Sequence, residues 1–69
     1  MNTGTVKWFD AQRGFGFIQP EDGSEDIIVR KSAVQQAGLV ELRGGQKLSF
    51  VMMVERRSGK MSAEELRPA

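Results

Sequence analysis

The sequence predicts a small all-β protein, a barrel of five short strands forming one domain over residues 1–69. Three observations lead there. Glycine and polar clusters punctuate short runs rich in β-branched and aromatic residues, at the close spacing of small barrels. No pair of long amphipathic helical stretches is present. The chain has 69 residues with no Cys and no His, so neither a disulfide nor the usual zinc site can staple it, and the core alone must hold it.

The first strand is expected over residues 3–10, with Val6, Trp8 and Phe9 as its bulk. Ala11-Gln12-Arg13-Gly14 turns it back. The second, residues 15–19, stops at Pro20, which has no N–H for a ladder. Glu21-Asp22-Gly23-Ser24 is a turn sequence in which Gly23 can take positive φ. Ile27-Ile28-Val29 is a β-branched third strand. Residues 32–45 read as a loop with one short helical turn, because Gly38 and Gly44-Gly45 interrupt any longer pattern. The fourth strand covers residues 47–55, with Leu48, Phe50, Met52 and Val54 inward and Ser49, Val51 and Met53 outward. The fifth covers residues 60–66. Its Ser62-Ala63-Glu64-Glu65 is a capping box, and local propensity favours a helix there. A strand is preferred because four short strands leave an open edge, and closure needs a fifth.

Ten Lys+Arg stand against nine Asp+Glu, a formal +1, too balanced to hold a duplex by charge alone. Acid gathers at Glu21-Asp22 and Glu25-Asp26, base at Lys7, Arg13, Arg30-Lys31 and Arg56-Arg57. No apolar run approaches the roughly 18 residues of a membrane span, and Met1-Asn2-Thr3-Gly4 lacks a signal-peptide layout. A cytoplasmic protein with no membrane partner is expected. No metal, no cofactor and no enzymatic activity are expected either. Catalysis without His or Cys would fall to the two acidic pairs, which read as solvated turn residues.

Arg13-Gly14-Phe15-Gly16-Phe17-Ile18 is the informative stretch. Strand alternation sends Phe15 and Phe17 to one face and Gly14, Gly16 and Ile18 to the other. Two rings on an open sheet beside Arg13 make a platform for stacking bases. The competing reading, that both rings are core, is weakened by the interleaved glycines and by the lack of a helix to cover that face. The RNA-recognition-motif signature is similar, but Pro20 stands where its last aromatic belongs, and its two helices are missing.

Gly4 to Asp10, Arg13 to Ile18, Pro20 to Gly23, Ser32-Ala33-Val34 and Gly45 to Phe50 together resemble the bacterial cold-shock domain family, along essentially the whole chain. The resemblance implies an OB-type barrel of five antiparallel strands that binds single-stranded RNA or DNA, with roles such as RNA chaperoning and antitermination. It implies Lys7, Trp8, Phe15 and Phe17 as binding residues, with Arg13 replacing a Lys. Phe9 matches as well, facing ligand or core, and Asp26 matches an acidic position beside the bases. Lys7 and Trp8 would alternate to opposite faces, so bringing both to the ligand requires a bulge or strong curvature.

The second motif of the family, Val-Phe-Val-His-Phe, here reads Ile27-Ile28-Val29-Arg30-Lys31. Ile28, Arg30 and Lys31 therefore take the places of two rings and a His, and Leu39 stands where many members have an aromatic. Either the site has decayed or charge replaces stacking, with the planar Arg30 guanidinium able to lie on a base and pair with phosphate. The expected partner is single-stranded nucleic acid, bound by a monomer. Val51 and Met53 leave open a homodimer, or an interaction module of another kind.

Overall fold

The computed structural model describes residues 2–69, so Met1 lies outside the described residues. The chain runs β1 (Asn2–Asp10), β2 (Phe15–Pro20), β3 (Ile27–Arg30), α1 (Lys31–Gln36), β4 (Lys47–Val54) and β5 (Met61–Pro68). The strands close into a barrel in the order β1-β2-β3-β5-β4, with β4 returning to β1. The all-β, five-stranded OB-type barrel anticipated from the sequence is the observed fold.

One pairing departs from the antiparallel expectation. β3 and β5 run parallel, through Ile28↔Ser62 and Val29↔Ala63. Geometry demands it: directions that alternate around a ring need an even number of strands, so five must leave one pair of neighbours parallel. A parallel pair needs a crossover rather than a hairpin, and α1 with β4 supplies it. α1 packs on both strands of this seam and sends Ala33 and Val34 into the core.

The core fills the barrel. Val6, Ile18, Val29, Leu48, Phe50 and Ala63 are essentially inaccessible, and Leu42 and Leu66 join them. Gly16 is forced by packing: a Cβ there would lie 2.7 Å from Phe9 Cα and nearer still to the Trp8 carbonyl. β1 and β2 can approach this closely only over a hydrogen. The turn between them is tied by Asp10, whose Oδ1 accepts the N–H groups of Gln12 at 2.9 Å and Arg13 at 3.2 Å. Gly23 adopts φ +82° in the next turn.

Residues 61–68 are a strand despite their helical propensity. Ser62 does not cap; its hydroxyl donates to the Met53 carbonyl at 3.3 Å, while Ser62, Ala63 and Leu66 are buried. Burial overrides propensity here. The cost surfaces at Glu65, which sits at φ +50°. There β5 spends one residue more than β4 between the Ser49↔Arg67 and Val51↔Glu64 pairs, a β-bulge.

The expected alternation along β4 fails at its end. Leu48 and Phe50 are buried, but Met52 is only half-buried and Val54 is 61% exposed. Among the described residues, pairing with β1 reaches as far as Phe50, and beyond it β5 is the described neighbour of β4. The Val54↔Met61 pair is the end of a two-stranded ribbon, with no barrel interior left to face. Val51 is half-buried and Met53 exposed, so Val51 and Met53 do not form the expected exposed pair; Val54 and Met61, opposite each other in the β4–β5 register, are both exposed.

Two stability outcomes follow. Ile18→Ala empties a fully enclosed site and is expected to cost about 2–5 kcal/mol, enough to unfold much of a domain this small. A urea transition within about 1 kcal/mol of wild type would show that the barrel interior is not the stabilising core. Glu65→Gly removes the left-handed strain and is expected to be neutral or to raise the unfolding free energy by up to about 1 kcal/mol. Glu65→Val is expected to lower it. A Gly variant clearly less stable than wild type would place the value of Glu65 in its side chain.

Candidate functional site

The outward face of β1, β2 and β3 is organised by register. Trp8 lies opposite Phe17 and Phe17 opposite Ile28, which makes one row; Asp10, Phe15 and Arg30 make the next. The first two columns therefore carry rings, and the third carries Ile28 and Arg30. The platform is two strands wide.

Its three rings pack on one another edge to face. Trp8 lies 5.6 Å from Phe15 and 5.4 Å from Phe17, at interplanar angles of 64° and 65°. Phe15 and Phe17 are 6.1 Å apart at 88°. Trp8 remains 43% exposed, and both Phe rings are half-buried, outside the barrel core. Sequence alternation placed these two rings on a common outer face, and they share one.

The bulge required for Lys7 and Trp8 is present. The β1–β2 register shifts between Val6 and Trp8, and Lys7 is exposed beside Trp8. The irregularity leaves no stranded backbone group at Val6: its N–H donates to the Gln46 carbonyl at 2.8 Å, and its carbonyl accepts from Gly45 at 2.7 Å. The 44–46 loop thus braces the bulge.

Charges around the rings come in pairs. Lys7 Nζ sits 2.8 Å from Asp26, which brings together two residues expected at the site. Arg13 Nε lies 3.6 Å from Asp10. Arg30 is gripped by Glu55 in a two-point contact, Nε to Oε2 at 2.6 Å and Nη2 to Oε1 at 3.1 Å. This contact holds the Glu55 carboxyl below its ordinary range and the Arg30 guanidinium above its own. Lys31 is exposed and, among the described residues, has no ion-pair partner. Its N–H donates to the Gly14 carbonyl at 2.8 Å, fixing the start of α1 against the turn that leads into Phe15.

Phe9 does not join the ring cluster; it packs against the core, as does Leu39. Ile28 is half-buried and, with Phe17, Met52 and Met61, lines an open cleft of about 780 Å³ that has Arg30 and Glu55 along its wall. Glu55, Met52 and Met61 are the participants that sequence reasoning missed. Nothing local marks them, because they reach the site only through barrel closure. Among the described residues no group of His, Cys, Asp and Glu side chains is arranged to hold a metal ion, and no helix is long and apolar enough to cross a membrane.

The family model described as the 'Cold-shock' DNA-binding domain matches residues 2–69. A protein of Sinorhizobium fredii named "Probable cold shock protein y4cH" is 62% identical over 66 residues, covering 96% of each chain. Cold shock protein CspA of Rhizobium meliloti is 52% identical over 69 residues and the full length of both. Cold shock-like protein CspE of Escherichia coli is 53% identical over 47 residues, 68% of each chain. A closed five-stranded barrel, an outward cluster of Trp8, Phe15 and Phe17, and a family match along the described chain converge, and the protein belongs to the cold-shock domain family.

Proposed function

We propose that this protein binds single-stranded RNA or DNA by stacking bases on Trp8, Phe15 and Phe17, and that it works as an RNA chaperone or regulator of expression, without catalysis. The observation that carries this reading is the ring cluster: three aromatics in contact with one another, outside the core, on a barrel face with no helix over it. Each base stacked on such a ring contributes roughly 1–3 kcal/mol with little regard to base identity. Lys31 is the cation free to meet phosphate at once. Lys7, Arg13 and Arg30 reach one by exchanging their carboxylate partners, and exposed pairs of this kind are worth only about 0–1 kcal/mol. Asp26 orients Lys7 and accepts from base amino groups. Ile28 extends the apolar floor, and Phe9 packs against the core. The protein acts as a monomer.

Phe15→Ala and Phe17→Ala are each expected to weaken binding of oligothymidylate or oligouridylate by roughly 1–3 kcal/mol, read by quenching of Trp8 fluorescence. Because the rings brace each other, each change should also cost about 1 kcal/mol of stability while leaving the protein folded. Unchanged affinity in a folded variant would remove that ring from the platform. If the wild-type chain binds no single strand even at low salt, the exposed apolar side chains at the end of β4 and start of β5 become the candidate functional surface, and an interaction module becomes the better reading.

The altered third strand gives a second test. Reverting it to the family pattern (Ile28→Phe, Arg30→His, Lys31→Phe) restores two rings and removes two fixed charges. Each phosphate contact on a single strand contributes about −0.7 to the slope of log affinity against log salt. Two free cations would flatten the slope by about 1.4 on reversion; because the Glu55 carboxylate freed by Arg30 takes up a cation and offsets that contact, the expected change is about 0.7. The reverted protein is also expected to bind more tightly at high salt, where stacking persists and charge is screened. An unchanged slope would show that Lys31 touches no phosphate.

A further inference from the structure

Arg30 is the planar cation nearest Phe15 across the sheet, since the two lie opposite in the β2–β3 register. It is the residue best placed to meet a phosphate as a strand leaves the rings. Its fork is nevertheless filled. Both Glu55 oxygens engage it, one on Nε and one on Nη2, the two-oxygen geometry a phosphate would present to the same donors.

Glu55 is held in place to do this. Its N–H donates to the Lys60 carbonyl at 2.7 Å, and its own carbonyl accepts from Gly59 at 2.8 Å. The Ser58 hydroxyl donates to Oε1 at 3.3 Å. The carboxylate is therefore presented by a tied hairpin turn, while the arginine extends across the cleft wall to reach it. The arginine side chain is still 48% exposed and the glutamate 22%, so an incoming anion can approach the pair. If the pair opens, Glu55 keeps its Ser58 contact and lies near Lys60, and neither charge is abandoned.

We propose that Glu55 is a built-in competitor for nucleic-acid phosphate, and that it sets the affinity of this barrel by occupying Arg30 until a strand displaces it. The proposal rests on the single-strand binding reading above and adds a specificity-determining residue outside the ring cluster. A ligand that brings a phosphate to β3 opens the contact; one that only lays bases on Trp8 and Phe17 leaves it closed. The cost of exchange therefore falls only on strands that reach past Phe15 to β3, and it offsets what their extra phosphate contact would add.

The test is a double-mutant cycle on the full chain with Arg30→Gln, Glu55→Gln and both together. Each is titrated with an oligothymidylate single strand over about 0.05–0.2 M salt and checked for folding by urea transition. Glu55→Gln is expected to tighten low-salt binding about two- to five-fold and to steepen the salt slope by about 0.7, because no freed carboxylate then offsets the Arg30–phosphate contact. Arg30→Gln alone should change little, and in that background Glu55→Gln should give no comparable gain. Glu55→Asp keeps the charge but shortens the reach, and should shift affinity in the same direction as Gln. Equal tightening by Glu55→Gln with and without Arg30 would reduce the effect to net charge and overturn the proposal. So would a large loss from Arg30→Gln alone, or a Glu55→Asp protein indistinguishable from wild type. If the wild type itself fails to quench, the binding reading falls first; if it quenches but the cycle shows no coupling, only the role of Glu55 falls.

Discussion

Five strands cannot alternate direction around a closed ring, and much of this molecule follows from where the unavoidable parallel pair falls. The seam between β3 and β5 spans two register pairs, much less than the β1–β2 or β4–β5 ladders. α1 covers it on one side. On the other, the strands part and leave the cleft floored by Phe17, Ile28, Met52 and Met61. Backbone pairing ends early there, and the Arg30–Glu55 contact takes over the join between β3 and the ribbon beyond β4. The most distinctive electrostatic feature of the surface thus lies along the weakest line of the sheet.

On the proposed reading, the ring face trades between two sources of affinity. Family members with rings on all three strands would take most of their binding energy from stacking, which salt barely touches. Here the third column holds Ile28 and Arg30, and the cations beside the rings are mostly matched by carboxylates: Lys7 with Asp26, Arg13 with Asp10, Arg30 with Glu55. Affinity that depends on exchanging one anion for another is modest and tunable. A protein with a formal charge of +1 gains little from long-range attraction, so what it discriminates is set by contact.

Much of this was legible in the sequence, and the residues show why. Alternation over Phe15-Gly16-Phe17 gave the ring face because period two is a property of any strand. The bulge at Lys7 was required because two neighbouring residues had to share a face. The fifth strand prevails over the helix that its own residues favour, since closure is worth more than propensity. Val54, expected inward, is exposed, because alternation says which way a residue points, not whether a barrel is still there to point into. Glu55 was invisible as a partner for Arg30: the two are 25 residues apart, on segments that meet only across the short seam. The parallel pair departs from the antiparallel expectation, although an odd number of strands in a closed ring requires one.

The tilt between the rings has a consequence for whatever lies on them. Bases in a helix keep their planes nearly parallel, each resting on the next. The planes offered here are inclined to one another by 64°, 65° and 88°, so bases seated on different rings must turn away from their neighbours. A strand in that posture has given up its own internal order. On the proposed reading, a strand seated on all three rings cannot at the same moment be one side of a hairpin, and the tilt of the rings favours its unpaired form.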